Sequence, residues 1–100
     1  MFGFKRQKKQ SEIEKFYEAV HTTAFPRGRV QIKEEVILLK SALGGEYTED
    51  IIESILLQST CNLYFQLLDN KDYSIQDMIN YLIKNKKMGI NDATILVKHL

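Results

Sequence analysis

The sequence predicts an all-α domain, a single small irregular bundle of about five helices with a long central third helix. Three observations carry that expectation. Apolar residues recur at helical spacing in five stretches of the chain. Side chains suited to helix starts (Ser11, Thr48, Ser74, Asn91) stand directly before four of them, and breaks (Phe25-Pro26-Arg27-Gly28, Gly44-Gly45, Gly89) stand after. A capping oxygen accepts a hydrogen bond from an orphan N–H at a helix start, and glycine supplies the left-handed turn at a helix end.

The elements follow in order. Residues 1–10 form a basic N-terminal tail in which Phe2 and Phe4 are possible anchors, and residues 11–100 form one helical domain. Ser11-Glu12-Ile13-Glu14 has the form of a capping box, the serine capping the helix and Glu14 reaching back. Ile13, Phe16, Tyr17, Val20 and Ala24 then fall on one face of a first helix that Pro26 and Gly28 end. A second helix runs from about Gln31 to Leu43 and buries Ile32, Val36, Leu39 and Leu43. Thr48 opens the third helix, which extends to Leu68 with apolar residues on more than one face. Such a helix is central and packed on several sides, or shows an apolar patch to a partner; the central position is the expectation. Ser74-Ile75-Gln76-Asp77 starts a fourth helix burying Ile75, Met78, Ile79, Leu82 and Ile83, and Asn91 caps a short last helix.

Composition narrows the functional classes. One hundred residues, 44% of them hydrophobic, with a single proline, suffice for one folded core. The first ten residues lack the apolar run of a signal peptide, and no stretch approaches the roughly 18 apolar residues of a membrane span. The one cysteine, Cys61, sits in an apolar stretch and is expected to be a small buried hydrophobe. A cytoplasmic protein is the expectation.

Charge is unevenly laid out. The formal total is +1, yet residues 1–45 carry +4, residues 46–77 carry −6 and residues 78–100 carry +3. Such asymmetry bears on partners rather than on fold. Two acidic groups interleaved with tyrosine flank the third helix: Glu46, Tyr47, Glu49, Asp50 and Glu53 at its start, and Asp69, Asp72 and Tyr73 beyond its end. Acids beside tyrosines suit recognition of a basic protein, since charge steers encounter and tyrosine supplies rigid contact area. These eight residues are the candidate partner-binding set. Acids in a first helical turn are also favoured by the helix dipole whatever the function.

Other motifs point less far. Met88-Gly89-Ile90-Asn91-Asp92-Ala93-Thr94-Ile95 resembles the turn of a DNA-binding helix-turn-helix, with Met88, Ile90 and Ile95 pinning the helices. That resemblance implies phosphate contacts from Lys84, Lys86, Lys87 and Lys98. The pattern departs from it at Asn85, where a small residue is usual, at Leu96 and Val97, where base-reading polar groups belong, and at Asp92, which would face phosphate. Asp69-Asn70-Lys71-Asp72-Tyr73 lacks the oxygen ligands, glycine and closing glutamate of a calcium loop. His21 and His99 have no sequence neighbour that makes a ligand set or a base, and Gly44-Gly45 lacks the lysine of a phosphate loop. The expected function is therefore non-enzymatic, with no cofactor and no metal. It is a protein-binding module of the immunity or antitoxin type that neutralises a basic partner such as a nuclease toxin. The alternative is a nucleic-acid-binding regulator using residues 75–100.

Overall fold

The third helix organises the molecule. A computed structural model of the chain describes residues 12–69 and 72–100. The basic tail 1–10, the Ser11 cap, and Asn70 and Lys71 of the turn after the third helix lie outside the described residues. Five helices are described and no strand: α1 Glu12–Ala24, α2 Arg29–Ala42, α3 Glu49–Leu68, α4 Ile75–Lys86 and α5 Ile90–Val97. α3 packs against α1, α2 and α4, and α5 closes the bundle against α4 and α2. None of the described helices is long and apolar enough to cross a membrane.

Local chemistry sets most of the boundaries. Thr48 caps α3, its hydroxyl accepting from the Ile51 N–H at 3.2 Å. Ser74 and Asp77 form a reciprocal capping box on α4, with bonds of 3.1 and 3.0 Å. After α2, Gly44 and Gly45 both take φ +81°, and their N–H groups reach back to the carbonyls of Ser41 and Lys40. That closes the helix as a Schellman turn, which side-chain-bearing residues adopt only under strain.

The core joins α2 to the first half of α3 and to α4 and α5. Leu39, Leu56, Leu82 and Leu96 are fully buried at its centre. Ile32, Val36, Leu39 and Leu43 all face inward as their spacing predicts. Phe25, which the sequence offers only as part of a break, tucks into the same core.

Several expectations are corrected. Ile13 and Tyr17 of α1 stand exposed beside the buried Val20, and Ile75 and Ile83 of α4 are exposed although their helix buries Ile79 and Leu82. α2 begins at Arg29, two residues before the expected Gln31. Asn91 does not cap α5; Gly89 holds the cap position, and Asn91 lies within the first turn. The left-handed residue after α4 is Lys87, at φ 58°, and not Gly89. Spacing identified the helical faces, but the short α1 and α4 have too few neighbours to cover every apolar position on them.

Candidate functional site

The two acidic groups sit at opposite ends of α3, a helix of 20 residues that spans about 30 Å. The fold does not bring them together. It also treats them differently.

At the N-terminal end two of the four acids, Glu49 and Glu53, are answered from within the molecule. Arg29, at the start of α2, grips Glu53 through two hydrogen bonds of 2.9 and 3.1 Å. These bonds and the attached charge raise the Arg29 pKa and hold its guanidinium charged. Lys40 lies 3.9 Å from Glu49. Tyr47 is half-buried, and its hydroxyl donates to Asp92 of α5 at 2.9 Å. Burial first, and then the Asp92 carboxylate, push the Tyr47 phenol above its ordinary pKa. Glu46 and Asp50 are exposed and form no ion pair among the described residues. The tyrosine is thus a strut between the α2–α3 connection and α5, and Glu46 and Asp50 are the charges this end offers outward.

At the C-terminal end acid meets apolar surface. Phe65, Leu67 and Leu68 of α3 are 60%, 53% and 71% exposed, although Ile52, Ile55 and Leu56 of the same helix are buried. Between this end of α3 and the start of α1 lies a groove of about 420 Å³. Ile13, Phe16, Tyr17, Phe65 and Leu68 line it, with Glu12 and Asp69 the charged groups among its described lining residues. Phe16 and Phe65 meet edge to face at 5.8 Å, which fixes one wall. Asp72 is exposed, and Tyr73 accepts a 2.7 Å hydrogen bond from the Asn62 amide. No motif in the sequence marks this groove. Its only signal was that α3 carries more apolar residues than one face can use; the structure exposes Phe65, Leu67 and Leu68 in the last turns and Ile51 in the first.

The remaining candidates also find their places. α5 turns Ala93, Leu96 and Val97 into the core, so its outward face offers Ile90, Asn91 and Lys98. Ile90, expected to pin α4 to α5, is 64% exposed, whereas Met88 is buried. Lys86 is engaged internally, donating to the Gln58 side chain and lying over the Tyr81 ring. Cys61 and His21, 40 residues apart, come within 3.6 Å, with Tyr17 stacked on the imidazole. Burial pushes the Cys61 thiol pKa up, which disfavours the thiolate that a nucleophile requires. His99 borders a separate cavity of about 250 Å³ shared with Glu35, Thr60 and Tyr64. Among the described residues no three His, Cys, Asp or Glu side chains group as metal ligands.

Comparison of the chain with protein-family models, with curated proteins and with solved structures finds no match.

Proposed function

We propose that this protein is a non-enzymatic binding module of the immunity or antitoxin type. It takes up a basic protein, such as a nuclease toxin, on the acidic and apolar surface where α3 ends against α1. The reading rests on one coincidence: Glu12 and Asp69 border the same groove that exposes Ile13, Phe65 and Leu68. Apolar anchors supply affinity once desolvated, and acids around them steer a cationic partner and select against an acidic one. Glu46 and Asp50, about 30 Å away along α3, extend the negative field to the other end. Among the described residues the nucleic-acid alternative has less support: Lys86 is engaged with Gln58 and Tyr81, although Lys84, Lys87 and Lys98 are exposed.

Capture from a lysate of the source cell, with and without nuclease and with the bound protein identified by mass spectrometry, tests the reading. The expected result is one basic protein in stoichiometric amount, released as salt is raised and lost with Leu68→Asp. Glu46→Lys/Asp50→Lys is expected to slow its association. Reversing Glu49 and Glu53 would be less clean, because it also sets like charges against Lys40 and Arg29. Recovery of nucleic acid alone, or a partner that Leu68→Asp retains at full affinity, would overturn it.

A further inference from the structure

The groove between α1 and the end of α3 is the chemical complement of one segment of this same chain. Ile13, Tyr17, Phe65 and Leu68 on its walls are 65%, 47%, 60% and 71% exposed. Single exposed aliphatics are ordinary on a protein surface, but four large apolar side chains around one groove form a patch. Glu12 and Asp69 are the charged groups among its described lining residues. Residues 1–10, which lie outside the described residues, combine Phe2 and Phe4 with Lys5, Arg6, Lys8 and Lys9 and contain no acid.

We infer that this N-terminal segment is the groove's own occupant, with Phe2 and Phe4 docked among Ile13, Phe65 and Leu68 and the basic run set against Glu12 and Asp69. Charge, reach and size select it. Both charged lining groups are acids, so a cationic segment is steered in and an acidic one is turned away. The segment joins the groove at its wall, because Glu12 is both the first residue of α1 and a lining residue. Phe4 stands about eight residues before Glu12, a stretch that spans up to about 26 Å. The α1 wall from Glu12 to Tyr17 is only about 7.5 Å long, which leaves enough chain to turn back along it. Phe2 and Phe4 fall on one side of an extended backbone, and Gly3 adds no bulk between them. A groove of about 420 Å³ is within the range that takes up a ligand of two rings. Tethering gives the segment an effective concentration on the order of 1 mM, so an intrinsic affinity of only about 100 μM keeps roughly nine molecules in ten docked. Docking covers the surface to which the proposed function assigns a basic partner; that consequence rests on the proposed function, whereas the docking itself does not. The partner then binds about tenfold more weakly than to an open groove, and Phe2→Ser/Phe4→Ser restores its affinity.

The chain contains no tryptophan, so Phe4→Trp in the full chain gives a single fluorescent reporter. Its emission is expected at shorter wavelength than in the urea-unfolded chain, and unchanged by concentration from about 1 μM to about 100 μM. Leu68→Asp in that background returns the emission to the unfolded-chain wavelength. So does Lys5→Glu/Arg6→Glu/Lys8→Glu/Lys9→Glu, which touches none of the described helices. Circular dichroism shows unchanged helicity in both. Emission that matches the unfolded chain before either change, or a shift that Leu68→Asp retains, overturns the docking. A shift that grows with concentration assigns the segment to the groove of a second copy and overturns the intramolecular contact. No partner enters this measurement, so the docking can fail while partner capture succeeds, and the reverse.

Discussion

Two leucines on α3 offer a direct measure of how its apolar surplus is divided. Leu56 is fully buried, whereas Leu68, twelve residues on, is 71% exposed. Truncation to alanine removes the same atoms from both. At Leu56 it withdraws the side chain from the centre of the core and leaves a cavity that rigid neighbouring helices only partly refill. The expected cost is about 3–5 kcal/mol. At Leu68 less than a third of the side chain is covered, so the cost scales to about 0.5 kcal/mol from a full burial value of roughly 2 kcal/mol. In a domain of this size each kcal/mol moves the melting temperature by about 4–8 °C. Leu56→Ala is expected to lower Tm by at least about 12 °C and Leu68→Ala by less than about 4 °C. Thermal unfolding followed by far-ultraviolet circular dichroism reads both Tm shifts, and urea unfolding the free energies. If Leu56→Ala leaves too little folded protein, Ile52→Val, at 1% exposure, serves as the buried arm, with an expected cost of about 0.5–1.5 kcal/mol. Equal losses at the buried and exposed positions would refute the division of α3 into a core half and a surface end.

Other outcomes follow from particular groups. Lys87→Gly relieves a side-chain-bearing residue of its left-handed conformation and should raise stability by about 0.5–1 kcal/mol, read from the urea midpoint; a loss there would contradict the turn geometry. Tyr47→Phe removes the bond to Asp92 and should cost about 1–2 kcal/mol at neutral pH. The raised folded pKa of Tyr47 favours the neutral phenol, so this stabilisation is complete below the unfolded phenol pKa. It is lost as pH climbs through the folded value. Wild type and Tyr47→Phe should therefore converge in stability at high pH, and a gap that widens with alkali would refute the assignment. Cys61 should react slowly with iodoacetamide at pH 8 in the native state and rapidly in denaturant, followed by mass spectrometry, because burial both shields the thiol and raises its pKa. Equal rates would show the sulfur to be exposed.

Local chemistry along the chain specifies five helices, the Thr48 and Ser74–Asp77 caps, the Gly44-Gly45 stop, and the inward face of α2. Each depends on residues within about one helical turn, so their hydrogen bonds are specified before any tertiary contact forms. The cap of α5 shows where that local chemistry is ambiguous. Gly89 and Asn91 both suit a helix start, and packing of Met88 and Ala93 into the core favours the earlier one. Which apolar and charged groups are covered depends instead on how the helices dock. Ile13, Ile75 and Phe65 have the same helical spacing as their buried neighbours, and only the placement of adjacent helices leaves them outside. The pairing of Arg29 with Glu53, the Tyr47 strut to Asp92, and the approach of His21 to Cys61 join residues 24, 45 and 40 positions apart. Contacts at such separations depend on how the helices dock, which periodicity does not encode. The groove between α1 and α3 arises for the same reason, since its walls come from opposite ends of two helices that meet only in the folded chain.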